Sequence, residues 1–149
     1  MSRGSIRVDI PHEQLQTALQ KKLLQLVDKD VARRNTNEIF LEMCNKYVPE
    51  DSGTLKSSAY TTERSVIWST PYAHYMYEGI VYGPNFLVEI DGQLVWRSPA
   101  GKPKFPTDRP LQYHQNPFAT SHWDKTMLER DRRVFNNRVT AMLKRLAKE

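Results

Sequence analysis

The sequence predicts a single α+β domain, a small and mainly antiparallel sheet packed by a long N-terminal helix and a basic C-terminal helix. Three observations carry this prediction. The 149-residue length suits one domain. Eight of the nine prolines lie between Pro49 and Pro117, which marks a turn-rich middle. The flanking segments repeat apolar residues at helical spacing. The chain therefore divides into residues 1–48 (helix), 49–120 (β region with loops) and 121–149 (helix).

The first helix is expected from Pro11, because proline fits the first helical turn. Leu15, Leu19, Leu23, Val27, Val31, Ile39, Met43 and Tyr47 form its apolar stripe. Asn35 interrupts the row, and Asn35 with Glu38 has the form of a capping box, so a break there is the alternative to one continuous helix. A continuous helix would be about 50 Å long and would overhang its own core. Pro49 ends it. Asp51-Ser52-Gly53 reads as a tight turn with Gly53 at positive φ.

Lys56–Thr62 and Ser65–Ser69 read as strands around a turn at Glu63-Arg64. Pro71–Gly79 reads as a short helical element closed by Gly79. Phe86–Ile90 and Gln93–Arg97 form a hairpin, because Asp91-Gly92 is a preferred two-residue turn. Ser98–Pro110 reads as an extended loop, and Leu111–His114 as one more short strand. Ser121 is the expected N-cap of the last helix, whose apolar row is Trp123, Met127, Val134, Val139, Met142 and Leu146.

Composition excludes several classes. One cysteine, Cys44, allows neither an intramolecular disulfide framework nor a cysteine-cluster zinc site. Its place beside Met43 at apolar spacing predicts a buried structural thiol. No run approaches the ~18 apolar residues of a membrane helix, and the polar segment Met1–Ile10 has no secretory h-region. The net charge of +5 is uneven: residues 1–48 carry +2, residues 49–120 carry −1 and residues 121–149 carry +4. The basic face of the last helix comprises Arg130, Arg132, Arg133, Arg138, Lys144 and Arg145. A solvated helix face is the plain reading, and nucleic-acid contact is the alternative.

Catalytic patterns are not evident. His12, His74, His114 and His122 stand in no metal-ligand spacing, and no phosphate-binding glycine loop or nucleophile elbow occurs. An acidic site from Glu78, Glu89 and Asp91, or a site near His74, Glu78 and His114, is not required by their spacing. No cofactor and no metal is expected. Aromatic residues are more informative. Trp68, Tyr72, Tyr75, Tyr77, Tyr82 and Phe86 lie within nineteen residues that hold no Lys or Arg. A core layer is one reading; an assembly interface at Tyr72, Tyr75, Tyr77 and Tyr82 is the other.

Several segments together resemble a family. Pro49-Glu50-Asp51-Ser52-Gly53-Thr54-Leu55-Lys56-Ser57-Ser58 resembles the Pro-x-Asp-(Thr/Ser)-Gly-x-Leu-x-x-Ser signature of tailed-phage minor capsid and tail-completion proteins. Its matching positions are Pro49, Asp51, Ser52, Gly53, Leu55 and Ser58. Pro71–Gly79 is similar to the Tyr-Ala-x-Tyr-x-x-x-Gly segment of the same group. Gly83-Pro84-Asn85, Lys104–Pro110, Leu111–His114 and Ser121-His122-Trp123 follow in the same order as in phages and prophages of Gram-positive bacteria. The likeness covers about residues 12–146; Asp91–Pro103 matches no motif.

The resemblance implies a non-enzymatic, structural viral protein of the bacteriophage neck. Such proteins form oligomeric rings in the head–tail connector and complete or join head and tail during virion assembly. It implies other copies of the chain and neighbouring head-connector and tail proteins as partners, contact with packaged DNA, and no membrane. It places the protein in the virion neck, after assembly in the host cytoplasm. The expected interfaces are the tyrosine segment, the overhanging first helix and the Ser98–Pro110 loop. A nucleic-acid-binding domain using the basic last helix is the alternative function.

Overall fold

The computed structural model describes residues 4–50, 53–83, 86–97, 105–113 and 116–149. The fold is α+β, with a three-stranded antiparallel sheet and a long C-terminal helix. The chain opens with strand β1 (Ile6–Asp9), then runs through helices α1 (His12–Leu15), α2 (Ala18–Leu24) and α3 (Lys29–Asn45). Helical turn α4 (Thr54–Ser57) leads to β2 (Ala59–Thr61) and β3 (Ser65–Trp68). After α5 (Ala73–Glu78) come β4 (Ile80–Gly83), β5 (Phe86–Ile90), β6 (Gln93–Arg97), β7 (Phe105–Pro110) and α6 (Trp123–Lys148).

The main sheet has the order β1-β3-β2, with Val8 and Thr61 both opposite Val66. All four residues of β3 are buried, so the strand is covered on both faces, with Val66, Ile67 and Trp68 running apolar rather than alternating. Trp68 at its end meets Trp123 of α6 edge-on, with ring centroids 5.3 Å apart. Helices α3 and α6 pack together, and Phe40 meets Phe135 edge-on at 5.8 Å. Tyr47, Met127 and Leu143 complete the fully buried centre. Cys44 is buried there as expected, and burial pushes its thiol well above the ordinary range.

The single N-terminal helix is corrected to a strand and three helices. Thr17 and Gln20 form a capping box that starts α2, and the Asp28 carboxylate accepts from the amides of Asp30 and Val31 to start α3. These caps satisfy the first amides of each helix, which a continuous helix would have bonded internally. Asn35 lies inside α3 and breaks nothing. The longest N-terminal helix has 17 residues, about 26 Å, so the overhanging helix is withdrawn as an interface.

Further boundaries move. Residues 54–57 are helical, so the strand expected from Lys56 starts at Ala59. The Ser98–Pro110 loop is corrected in its second half, which is β7 and pairs with β4; residues 98–104 lie outside the described residues. Pro106 and Pro110 sit at this pairing, where a two-stranded ladder tolerates missing amide donors. Leu111–Tyr113 is not a strand: the Leu111 amide is used by the Gly79 carbonyl, and His114 lies outside the described residues. The Asp91-Gly92 hairpin forms with the expected register, both residues having positive φ.

The N-cap of α6 is His122, not Ser121. Its left-handed backbone (φ 47°, ψ 51°) lets its amide donate to the Tyr77 carbonyl, at 2.9 Å. Asp131 interrupts the helical geometry of α6 (φ −120°, ψ 16°), and beyond it Phe135 takes the buried position expected of Val134, which is 52% exposed.

Candidate assembly surfaces

The segment that carries the phage-like signature forms the joint between α3 and the sheet. Val48 and Pro49 are buried, and Leu55 enters the core. Gly53 has φ +77° as expected; Asp51 and Ser52 lie outside the described residues. The Ser58 hydroxyl donates to the Leu55 carbonyl at 2.7 Å and accepts from the Ser69 amide at 3.2 Å. Ser69 returns a hydroxyl bond to the Ser58 carbonyl at 3.0 Å. Leu55 and Ser58 therefore act as a plug and a strap, and this explains a Leu-x-x-Ser spacing physically.

Two glycines at positive φ, Gly53 and Gly79, have different constraints. A Cβ at Gly53 would meet nothing within 4 Å, whereas one at Gly79 (φ +74°) would stand 2.5 Å from the Ser121 Cβ. Gly53→Val is therefore expected to cost about 1–2 kcal/mol, the strain of the left-handed backbone alone. Gly79→Ala is expected to cost more than Gly53→Ala. Thermal unfolding of the two alanine variants checks the order, and equal midpoints would contradict the close approach at Gly79.

The tyrosines separate into different roles. Tyr77 is corrected from interface to core. It is buried, its ring stands edge-on to Trp123 at 5.0 Å and to His122 at 4.8 Å, and its hydroxyl donates to Asp124 at 2.7 Å. Burial, and then the Asp124 carboxylate, push its hydroxyl well above the ordinary range. Tyr72 is 39% exposed at the start of α5, and Tyr75 is half-buried beside the His74 ring. Tyr82 lies in β4 opposite Pro106. Tyr113, named from the sequence only within the Leu111–His114 segment, donates to the Met76 carbonyl at 2.8 Å, and burial pushes its hydroxyl up to about 12. Tyr72 is more exposed than Tyr75 and Tyr77, the other tyrosines of the segment whose burial is described.

The basic residues of α6 also divide. Arg130 stacks over the Tyr47 ring at 5.8 Å, Arg132 reaches the Gln14 carbonyl at 3.3 Å, and Arg138 pairs with Glu42 of α3 at 2.8 Å. Arg133, Lys144 and Arg145 are exposed, and none pairs with an acid among the described residues. At the kink, Asp131 accepts from the Tyr47 hydroxyl at 2.6 Å and from Lys46 at 3.3 Å. These bonds, the Tyr47 one foremost, hold the Asp131 carboxyl below its ordinary range.

The sign of this linkage is that of a depressed carboxylate. Its stabilisation is complete above the unfolded pKa of about 4 and is lost as pH falls below that through the lower folded value. Tyr47→Phe is expected to raise the Asp131 pKa towards the ordinary value. A carboxyl chemical-shift titration checks this, and an unmoved pKa would show that Lys46 alone holds the charge.

The acidic groups named from the sequence occupy different elements where they are described. Glu78 lies 3.7 Å from His122, both partly exposed, while His114 lies outside the described residues. Glu89 is in β5 and Asp91 in the hairpin turn. No group of three or more His, Cys, Asp or Glu suited to a metal ion occurs among the described residues, and no described helix is long and apolar enough to cross a membrane.

Three polar residues with structural weight were missed. Asn116 donates to the carbonyls of Lys46 and Val48, both at 2.9 Å, and so closes the C-terminal end of α3. Asn37 is buried and donates to the carbonyls of Thr62 and Glu63. Gln20 is buried and donates to the Asn136 carbonyl and the Thr140 hydroxyl of α6. Only Gln20 had a local signal, its capping box with Thr17. Comparison with protein-family models, curated proteins and solved structures finds no match to this chain.

Proposed function

We propose that this chain is a structural, non-enzymatic subunit of a tailed phage or prophage particle. In this reading it forms part of a ring at the head–tail junction, contacts neighbouring connector and tail proteins, and completes or joins head and tail. Its place is the virion neck, reached from the host cytoplasm during assembly.

One observation carries the reading. Three of the segments that resemble the minor capsid family, residues 49–58, 71–79 and 121–123, are linked to one another through the β3 end and α5. Ser58 of the first segment is tied to Ser69, just before the second. Tyr77 of the second packs on His122 and Trp123 of the last, and its carbonyl accepts the His122 amide. Gly79 lies against Ser121 because no side chain intervenes. Motif residues that hold neighbouring elements together in this way are what a shared fold requires. The exposed Tyr72 ring of the second segment then offers contact area to a neighbouring subunit, and a rotationally closed ring needs such a patch on each copy.

Electron microscopy of a lysate from a phage or prophage lacking the gene tests the proposal. DNA-filled heads separate from free tails are expected, and normal infectious particles would overturn it. Tyr72→Ala adds a finer test: thermal stability is expected to stay within about 0.5 kcal/mol of the parent, as for most surface changes, while ring assembly weakens. Unaltered assembly would remove Tyr72 from the interface.

A further inference from the structure

We propose that the outward face of α6 beyond its kink, carrying Arg133, Lys144, Arg145 and Lys148, is a contact surface for double-stranded DNA, held through the phosphate backbone. The inference rests on the head–tail reading only for the source of that DNA, since the packaged genome must cross the junction.

The charge pattern is the first support. From Arg132 to Lys148 the chain has six Lys and Arg and no Asp or Glu. The structure removes two of those cations from consideration: Arg138 is held by Glu42, and Arg132 is turned towards the Gln14 carbonyl. The remaining four are exposed and make no ion pair with an acid among the described residues. They lie away from the buried row of Phe135, Val139, Met142 and Leu143. The face from Arg133 to Lys148 is about 22 Å long at ~1.5 Å per residue. A duplex offers one phosphate charge per ~1.7 Å of axis, so several phosphates fall within that length.

A neighbouring element adds to the same field. Helix α2 is docked on this stretch by Gln20, which reaches Asn136 and Thr140. The segment from Gln14 to Val27 has no acidic residue and carries Lys21 and Lys22, both exposed. Two acid-free stretches, distant in sequence, are thus brought side by side.

The choice of nucleic acid over an acidic protein follows from what lies between the cations. Val134, Asn137 and Ala141 occupy the outward positions, with no aromatic residue among them. Protein interfaces draw their affinity from buried aromatic and aliphatic anchors, whereas phosphate contacts need only cations and hydrogen-bond donors.

The test is fluorescence anisotropy of the full-length chain with two 20-base-pair duplexes of unrelated sequence. Binding is expected to be independent of sequence. With four phosphate contacts, affinity is expected to fall roughly 100-fold between 50 and 200 mM salt. R133E/K144E/R145E/K148E is expected to lose binding, and the corresponding four-Gln variant to weaken it strongly; circular dichroism establishes that each is folded. K144R/K148R is expected to bind like the parent.

No binding at 50 mM salt, or a folded charge-reversed variant that binds like the parent, would overturn the proposal. Polyglutamate that displaces the duplex at equal charge would overturn it in favour of an acidic polypeptide. The two readings fail separately. Separated heads and tails without duplex binding would leave only the junction role. Duplex binding in a chain whose loss leaves normal particles would leave only the DNA surface.

Discussion

Trp123→Ala lowers the stability of the fold by about 3–5 kcal/mol, the range for removing a large aromatic residue from a core. Trp123 is fully buried at the start of α6 and is touched edge-on by both Trp68 and Tyr77. It therefore links the sheet, α5 and α6 at one point. Its removal leaves a cavity that these rings fill only in part, because each is held by its own hydrogen bond. The Trp68 indole donates to Asn45, and the Tyr77 hydroxyl donates to Asp124.

At roughly 2–4 °C per kcal/mol for a chain of this size, a fall of about 10 °C in the thermal midpoint is the expected reading. Trp123→Phe separates two contributions. The indole N–H of Trp123 is buried with no partner among the described residues, so phenylalanine removes an uncompensated donor while keeping most of the apolar contact. Its cost is expected to stay near 1 kcal/mol. Equal losses for the two variants would place the importance of Trp123 in the part of its ring system that phenylalanine lacks.

Asn37→Leu is expected to cost about 2–4 kcal/mol, because it breaks a buried polar network rather than one bond. The Asn37 amide nitrogen donates to the carbonyls of Thr62 and Glu63, which fixes the turn between β2 and β3 onto α3. Its oxygen then faces His12 Nε2 at 2.7 Å. An amide oxygen can only accept, so Nε2 carries the proton and His12 donates. Leucine leaves that buried donor without its acceptor, and His12 is itself only 8% exposed.

A double-mutant cycle with His12→Leu measures the coupling. The double variant is expected to cost less than the sum of the two single ones, since the second substitution removes the group that the first strands. Strict additivity would show that Asn37 acts through the turn carbonyls alone.

Asn35 and Asn37 illustrate what could be read in advance. Both are asparagines in one helical stretch, and the pattern Asn35–Glu38 drew attention to the wrong one. The value of Asn37 comes from carbonyls 25 and 26 residues away, which no local pattern encodes. The real helix starts at Thr17 and Asp28 did have local chemistry, but the long apolar row from Leu15 to Val31 outweighed them. The strand β1 was illegible because four residues gain strand geometry only by pairing with β3. The tyrosine segment was legible as important, yet its division into buried Tyr77 and exposed Tyr72 depends on where α6 begins.

The sequence by itself determined what short-range backbone chemistry controls. Gly53 and Gly79 take left-handed conformations, Asp91-Gly92 closes a hairpin, and a long C-terminal helix follows the turn-rich β region. These features depend on steric limits within a residue and its immediate neighbours. Tertiary structure decided which polar groups are buried, which tyrosine is core, and which cations of α6 are paired or left facing solvent. The reason is physical: burial and charge pairing are properties of two surfaces brought together, and neither surface alone carries the information.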